Sequence, residues 1–262
     1  MNDLLNKDFR LSNIPKRIVS TVPSQTELLF DMGLDKNIVG ITQFCVLPVE
    51  KTKTKEKVGG TKKLNIEKIK SLKPDLIIAG KEENEKEQIN ELKKNFPVWI
   101  SDVDSFDSAL RMINDVALIT EKKQKGDEII AKIQSEYLKF KKQNYKRYNS
   151  LYFIWRTPYM VAGGDTFISD IMNKAGFDNT AKHLNRYPVL DATNKSTMEP
   201  EIILLCSEPY RFGDKHKSEF KELYPNAEVI LTDGQMFTWY GSRMIHAFEY
   251  FNYLHKQISD SH

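Results

Sequence analysis

The sequence predicts an α/β protein of two Rossmann-like lobes, each with a mostly parallel sheet, joined by one long α-helix with a ligand cleft between the lobes. Short, almost continuously apolar runs alternate with helical patterns in both halves of the chain, which is typical of parallel strands covered on both faces. A stretch with helical periodicity separates the halves. We expect an N-terminal lobe over residues 1–120, a linking helix over 121–147 and a C-terminal lobe over 148–262.

The first half alternates strands with helices. The expected strands are RIVSTV at 17–22, NIVGIT at 37–42, DLIIAG at 75–80 and PVWISD at 97–102, and the expected helices cover 24–32, 65–72 and 83–95. Ser24 and Glu27 form the S-x-x-E pattern of a capping box, although the free backbone N–H groups of the same helix start could instead hold an anion. Repeated strand, helix and strand units predict right-handed crossovers and an open sheet.

The middle of the chain, residues 106–143, contains almost no glycine or proline. Ile129, Ile133, Tyr137 and Phe140 recur at three- to four-residue spacing among lysines, which predicts two consecutive helices with a long, basic second one. A helix of about 22 residues would be about 33 Å long, enough to bridge two lobes.

The second half resumes the α/β pattern. The expected elements are SLYFIW at 150–155, a helix at 167–174, EIILLCS at 201–207, EVILTD at 228–233 and a closing helix from 242 to about 256. Gly163 and Gly164 predict a tight turn, with Asp165 or Thr166 capping the following helix. No nucleotide-binding glycine motif is present, so a nucleotide site is not expected.

Composition and motif spacing argue against several classes of protein and several kinds of site. A net charge of +3 from 39 basic and 36 acidic residues is a poor match to a nucleic-acid binder. No apolar run is long enough to span a membrane, and the N-terminal residues lack the pattern of a signal peptide, so we expect either a cytoplasmic protein or an export signal absent from this chain. Cys45 and Cys206 lie in apolar runs and are expected to be buried free thiols. The five histidines lack metal-ligand spacing, and no catalytic constellation is found.

Two loops that follow strands of the second half combine aromatic rings with an arginine. Their members are Trp155, Arg156 and Tyr159 in one loop, and Phe237, Trp239, Tyr240 and Arg243 in the other. Aromatic plates beside a guanidinium suit a flat, conjugated, partly anionic ligand. The alternative is that the rings are hydrophobic plugs and the arginines form ordinary ion pairs.

Five segments together resemble the substrate-binding proteins of ABC importers for cobalamin and ferric siderophores, the helical-backbone metal receptors. They are VPSQTELLFDMGL at 22–34, VGGTKKLNIEKIKSLKPDLIIAG at 58–80, the long middle helix, AGGDTFISDIMNKAGFDN at 162–179 and EPEIILLCSEP at 199–209. The resemblance implies two rigid lobes, an extracytoplasmic location and a permease partner. It places a permease-docking glutamate at Glu67. The position expected for its second-lobe counterpart, near Thr193, is not acidic, and Asp191 or Glu199 could substitute.

The resemblance also implies the ligand and its contacts. We expect capture of a corrinoid, haem or ferric siderophore by a monomer that has no intrinsic cofactor, the metal arriving inside the chelate. Arg156 and Arg243 would neutralise ligand anions. The expected apolar walls are Phe44, Trp155, Tyr159, Tyr187, Phe237, Trp239 and Tyr240. The alternatives are a cytosolic two-lobed enzyme acting on a tetrapyrrole or metal chelate, and an intracellular sensor or chaperone for such ligands.

Overall fold

The computed structural model describes residue 6, residues 9–190 and residues 198–260. The chain divides into two compact units. Unit 1 contains the chain up to Val103, Asp107–Ile133 and Tyr240–Arg243, whereas unit 2 contains Asp104–Phe106, Gln134–Trp239 and the chain from Met244 onward.

Unit 1 contains a five-stranded sheet in which all neighbouring strands are parallel. The strands are β1 (Ile18–Ser20), β2 (Ile38–Ile41), β3 (Glu56–Lys57), β4 (Leu76–Gly80) and β5 (Val98–Ser101). Their order across the sheet, β3-β2-β1-β4-β5, is that of a Rossmann half-fold and reverses direction between β1 and β4. Four of the five were predicted from sequence, whereas the two-residue β3 is too short to produce an apolar run.

Six helices follow the strands in this part of the chain. They are α1 (Pro23–Asp31), α2 (Val49–Thr52), α3 (Ile66–Ser71), α4 (Lys86–Lys93), α5 (Phe106–Ile119) and α6 (Lys123–Lys141). The predicted pair of consecutive helices in the middle is confirmed as α5 and α6. With 19 residues, α6 is about 28 Å long. The division between the units falls within it, between Ile133 and Gln134.

The core of unit 1 explains why its strands are apolar throughout. Every residue of β4 is buried. One cluster packs Val19 and Ile77 of the sheet with Ile69 of α3 and Leu92 of α4, each 0% exposed. A strand covered on both faces cannot alternate polar with apolar residues, and this is the pattern from which the sheet was predicted.

Unit 2 contains a mixed sheet built around β6 (Tyr148–Trp155). The path across it is β10-β9-β6-β7, with β8 also beside β6. All pairings are parallel except that of β6 with β7. The remaining elements are β7 (Met160–Val161), α7 (Phe167–Lys174), β8 (Phe177–Asn179), β9 (Ile202–Cys206), α8 (Lys217–Leu223), β10 (Glu228–Thr232), α9 (Gly234–Thr238) and α10 (Met244–Asp260).

The predicted capping box at the start of α1 is wrong. Pro23 is the first helical residue, so Val22 occupies the N-cap position and no side chain caps the helix there. Ser24 and Glu27 therefore lie inside the helix, where both are buried. The helix ends as predicted before Gly33, whose φ of +76° is the left-handed conformation that glycine tolerates best.

The predicted turn and cap before α7 are confirmed. Thr166 is the N-cap, and its hydroxyl accepts a hydrogen bond from the Ser169 N–H at 3.2 Å. Gly164 donates its N–H to the carbonyl of Leu184 at 2.7 Å. A side-chain carbon on Gly164 would lie 1.9 Å from the carbonyl oxygen of Lys182, so only glycine fits this approach.

The two cysteines are buried free thiols, as predicted. Among the helices of the described residues, none has the combination of length and apolar character that crossing a bilayer requires.

Candidate functional site

The carboxyl ends of the five parallel strands lie along one edge of the unit 1 sheet, which we call carboxyl edge 1. In open α/β sheets, ligands bind at this edge, next to the point where strand order reverses. In unit 1 that point lies between β1, which leads into Thr21–Gln25, and β4, which ends at Gly80.

Tyr240 lies at this reversal point. Its hydroxyl oxygen is 3.5 Å from Gln25 Nε2, and a side-chain carbon on Gly80 would lie 3.5 Å from the same oxygen. Gln25 also donates a hydrogen bond to the Ser101 hydroxyl at the end of β5. Tyr240 is only 8% exposed, and burial raises the pKa of its phenol far above the usual value. Most of its ring is thus inaccessible to a ligand.

Arg243 forms an ion pair with Glu27 of α1 in the same unit. Arg243 Nε donates to Glu27 Oε2 at 3.0 Å, and Nη2 donates to Oε1. The two side chains are only 15% and 12% exposed. Burial raises the pKa of Glu27, and the charge of Arg243 opposes that effect. Arg243 was predicted to neutralise a ligand anion, but its guanidinium already forms an ion pair with a carboxylate of its own chain.

Phe44 is an exposed aromatic residue of carboxyl edge 1. It follows β2, and 52% of its surface is accessible. The next residue, Cys45, is buried, with its sulfur 3.1 Å from Thr26 Oγ1 and 3.2 Å from Thr42 Oγ1. A side-chain carbon on Gly60 would lie 3.2 Å from the Phe44 ring. The buried neighbour anchors the segment while the phenyl ring remains accessible.

Trp155 marks the corresponding edge of unit 2, carboxyl edge 2, because it is the last residue of β6. Its indole is 40% exposed and donates its N–H to the Thr157 carbonyl at 3.1 Å. The ring of Tyr210, which follows β9, contacts it edge-to-face at 5.6 Å. Two aromatic rings from adjacent strand ends therefore meet at this edge.

Arg156 and Tyr159 both bind Glu219 of α8. Arg156 Nη2 lies 2.9 Å from Glu219 Oε2, and the Tyr159 hydroxyl donates to Oε1. Partial burial alone would raise the pKa of Glu219, but the hydrogen bonds from the two partners outweigh it and the pKa is lowered. Burial and the nearby carboxylate raise the pKa of Tyr159 to about 12. Glu219 is therefore an ionised acceptor, and Tyr159 is a neutral donor.

Phe237 is a core residue, which corrects its assignment to a ligand-facing wall. It is 0% exposed, and its ring lies 5.0 Å from that of Tyr152 and 4.8 Å from that of Phe251. Trp239 is 8% exposed and donates its N–H to Glu208 Oε1 at 2.6 Å. Burial raises the pKa of Glu208, against the effect of its hydrogen bonds.

Comparison with known proteins identifies the family. The sequence profile of the family described as periplasmic binding protein matches residues 18–223. The chain belongs to the periplasmic binding protein family. The predicted family and the predicted two-lobed α/β fold are thereby confirmed.

Individual relatives of this periplasmic binding protein agree with that assignment. A vitamin B12-binding protein of Vibrio campbellii is 26% identical over 227 residues, which cover 85% of this chain and 82% of the relative. An uncharacterized ABC transporter substrate-binding lipoprotein of Bacillus subtilis is 29% identical over 191 residues, which cover 69% of this chain and 60% of the relative. The crystal structure of a periplasmic vitamin B12-binding protein of Vibrio cholerae superposes with a TM-score of 0.78 at 20% identity, covering 94% of this chain and 98% of that one. These relatives are binding proteins, which supports the predicted binding function over the alternative of a cytosolic enzyme.

The remaining predicted positions of the periplasmic binding protein lie on its surface or outside the described residues. Tyr187 is partly buried, and the guanidinium carbon of Arg186 lies 5.8 Å from the centre of its ring. Glu67 lies in the first turn of α3, with a side chain 83% exposed. Glu199 is exposed. Asp191 and Thr193 lie outside the described residues. In the described part of the chain, no group of three or more His, Cys, Asp or Glu residues is arranged to hold a metal ion.

Three carboxylates organise the two edges of the periplasmic binding protein, namely Glu27, Glu208 and Glu219. From sequence, Glu27 was expected only as part of a capping box, and Glu208 and Glu219 were not singled out. Glu219 is 63 residues from Arg156, and Glu27 is 216 residues from Arg243. No local spacing rule connects residues so far apart. A partial signal existed for Glu208, because it directly follows a predicted strand, as do the residues of the predicted binding loops.

Proposed function

We propose that this periplasmic binding protein captures a metal chelate outside the cytoplasm and delivers it to the permease of an ABC importer. The chelate is a corrinoid, a haem or a ferric siderophore. Vitamin B12-binding relatives that align with most of the chain support this ligand class, and the substrate-binding lipoprotein among the relatives supports the ABC partner.

The exposed indole of Trp155 at carboxyl edge 2 is the main structural support for the proposal. A large ring left 40% accessible at the end of a central strand offers a flat apolar surface where open α/β sheets bind their ligands. Phe44, 52% exposed, offers a second ring at carboxyl edge 1. Both rings are positioned by ordered backbone, which limits the entropic cost of binding and permits sub-micromolar affinity.

The metal arrives inside the ligand. Corrins, porphyrins and siderophores already occupy most coordination positions of their metal, so the protein needs to recognise the surface of the chelate and not the bare ion. Under this proposal the protein contributes ring contacts and hydrogen bonds and has no resident metal of its own.

Tryptophan fluorescence tests the ligand class. The chain contains three tryptophans, of which Trp99 and Trp239 are 2% and 8% exposed and Trp155 is 40% exposed. Cyanocobalamin, haemin and ferric siderophores should each be titrated into the purified protein. We expect saturable quenching by at least one of them, with a weaker affinity for that ligand in Trp155→Phe and an unchanged affinity in Trp99→Phe. Absence of a saturable response to all three classes, in fluorescence and in calorimetry, would overturn the proposal.

Glu67 is the proposed permease contact, and the chain provides a matched control. Glu67 is 83% exposed and pairs with Lys70 at 3.0 Å, three residues along its helix. Glu50 is 85% exposed and pairs with Lys53 at the same spacing and distance. We expect Glu67→Gln to reduce uptake of the bound chelate into cells while leaving chelate affinity unchanged, and Glu50→Gln to reduce neither. Equal uptake by the two variants would remove Glu67 from the docking surface.

Location and oligomeric state follow from the same proposal. Fractionation of the source cells is expected to recover the protein outside the cytoplasm, and light scattering is expected to give the mass of one chain of 30.4 kDa. Recovery in the cytoplasmic fraction would contradict a role in import.

A further inference from the structure

The arginines at the two carboxyl edges are each held by a carboxylate of the same unit. At edge 2, Arg156 donates to Glu219 through Nε at 3.0 Å and Nη2 at 2.9 Å. At edge 1, Arg243 binds both oxygens of Glu27. Each guanidinium keeps N–H donors that the pair does not use, but the carboxylate neutralises most of its positive charge, so a second anion is attracted only weakly.

Glu219 is held firmly in its place. The next residue, Phe220, is 0% exposed, with its ring 4.6 Å from Phe153 and 5.4 Å from Tyr159. Glu219 accepts from Arg156 on both oxygens and from Tyr159 on Oε1. Moving the carboxylate aside would break hydrogen bonds on both oxygens.

Lysines in the loops of edge 1 are paired in the same way. Lys81, which follows β4, lies 2.6 Å from Asp102, which follows β5. Lys62 lies 3.5 Å from Glu85. At edge 2, Glu208 adds a further carboxylate beside Trp239. The basic groups named here therefore offer little net positive field to an incoming anion, because each opposite charge lies within hydrogen-bond or ion-pair distance.

We infer that this protein selects chelates of low net charge and that Glu219 is a specificity-determining residue that masks the charge of Arg156. The inference rests on the proposed function. The favoured ligand presents a flat apolar face to Trp155 and neutral polar groups, such as amides, to the rim. Chelates that carry free carboxylates are disfavoured because Glu219 neutralises the charge of Arg156 and places a carboxylate, with a side chain 25% exposed, beside it.

Pairs of chelates that share a scaffold and differ in charge test the inference. They are cyanocobalamin and its monocarboxylate formed by hydrolysis of one side-chain amide, iron protoporphyrin as the propionamide and as the free acid, and ferrioxamine B with its amine acetylated or succinylated. Within the scaffold that binds, the wild-type protein is expected to bind the carboxylate form about fivefold or more weakly, the size of one partly exposed charge interaction.

Two variants separate masking from a general charge effect. Glu219→Gln removes the masking charge and keeps the shape, whereas Glu222→Gln removes the same charge from an exposed position of the same helix. We expect the affinity of the carboxylate form relative to the amide form to rise about fivefold in Glu219→Gln and to stay at the wild-type ratio in Glu222→Gln. The gain should diminish at about 1 M salt, where screening acts over about 3 Å.

The outcomes distinguish the inference from the function on which it rests. If no scaffold binds in either form, the proposed function fails. If a scaffold binds and the wild-type protein prefers the carboxylate form, or if Glu219→Gln and Glu222→Gln give the same ratio, the function stands and the inference is overturned. Salt titration uses only the wild-type protein, so it tests the inference even if Glu219→Gln folds poorly. Amide-form affinity that falls steeply with salt would count against it.

Discussion

Glu27 and Arg243 form a largely buried ion pair although 216 residues separate them in the chain. The pair fixes Tyr240–Arg243, a segment that belongs to unit 1 although its sequence neighbours on both sides belong to unit 2. Gly241 in this segment lies so close to α1 that a side-chain carbon on it would be 3.4 Å from the Ser24 carbonyl oxygen. The pair therefore anchors a late part of the chain to the first helix of unit 1.

Removing one member of this pair is expected to destabilise unit 1. Arg243→Met leaves the Glu27 carboxylate buried without its guanidinium, which lowers the free energy of unfolding by about 3 kcal/mol. Adding Glu27→Gln to Arg243→Met should recover part of the loss, because it removes the buried charge. Urea unfolding at neutral pH measures both effects.

An exposed ion pair provides the control for that experiment. Lys53→Met removes the partner of Glu50, which is 85% exposed, and should change the free energy of unfolding by less than about 0.5 kcal/mol. Equal losses of unfolding free energy in Arg243→Met and Lys53→Met would show that burial does not increase the contribution of the Glu27–Arg243 pair to stability.

The role of Glu27 in this ion pair could not be predicted from the sequence. Ser24 and Glu27 match the capping-box pattern, but Pro23 begins the helix one residue earlier and Val22 takes the N-cap position. Glu27 is then free to bind Arg243. The local pattern is present but predicts the wrong role for Glu27, because the partner that determines that role is remote in sequence.

Most of the fold could be predicted because covered parallel strands have a strong local pattern. The apolar run of β4, buried at every residue, is an example. Elements with few apolar residues were missed. The helix α8 contains four charged residues and buries only Phe220 fully, so no periodic apolar pattern marks it in the sequence.

The candidate site was predicted only in part for a related reason. Trp155 ends β6 and Phe44 follows β2, and both side chains are exposed. Phe237 has the same loop-like sequence context, but α9 turns its ring into the core against Tyr152. Whether an aromatic residue at the end of a strand faces inward or outward depends on the packing of the next helix, which sequence spacing does not specify.

Gly164 is expected to be irreplaceable on steric grounds. In Gly164→Ala the new methyl group would lie 1.9 Å from the Lys182 carbonyl oxygen, so the backbone must move. We expect a loss of about 3 kcal/mol in the free energy of unfolding, as for other overpacked sites. Gly213→Ala is the matched control, since nothing lies within 4 Å of the added carbon and its φ of −156° suits any residue. Its effect should be within about 0.5 kcal/mol, and similar losses in the two variants would refute the steric explanation.

Both thiols are expected to be inert in the folded protein. Cys45 and Cys206 are 1% and 0% exposed, and burial raises the pKa of both, that of Cys206 to about 12. Because only the thiolate reacts, at pH 8 about one Cys206 in ten thousand would be in the reactive form. Ellman's reagent should therefore modify neither thiol of the native protein within minutes and both after unfolding in guanidinium chloride. Rapid modification of the native protein, assigned with Cys45→Ser and Cys206→Ser, would contradict this.

The raised thiol pKa of Cys206 also predicts alkaline sensitivity. The folded protein favours the neutral thiol, so its contribution to stability is complete below the unfolded value of 9.0 and is lost as pH rises from there toward about 12. Between pH 8 and pH 10, the free energy of unfolding should fall less in Cys206→Ala than in the wild-type protein. Parallel curves for the two proteins would show that Cys206 does not titrate differently on unfolding.

His255 is expected to make unit 2 sensitive to acid. It is 1% exposed, its ring stacks on Tyr145 at 4.4 Å, and its Nε2 lies 2.7 Å from the Ala175 carbonyl oxygen, to which it can only donate. Burial lowers its pKa below 6.5, more than the hydrogen bond to Ala175 raises it. The unfolded chain therefore binds the extra proton first. The contribution of His255 to stability is complete above pH 6.5 and is lost as pH falls below it, with a slope of at most about 1.4 kcal/mol per pH unit.

Two variants of α10 test that assignment. His255→Phe retains a ring that can stack on Tyr145 but cannot take a proton, so it should be less stable than the wild-type protein at pH 7 and lose less stability between pH 7 and pH 5. His246→Phe changes an exposed histidine of the same helix and should keep the wild-type pH dependence. Urea unfolding across this range gives the two slopes. The opposite result would contradict this assignment: a free energy of unfolding that changes less with pH in His246→Phe, together with the wild-type slope in His255→Phe. The slope follows the group whose proton uptake differs between the folded and unfolded chains.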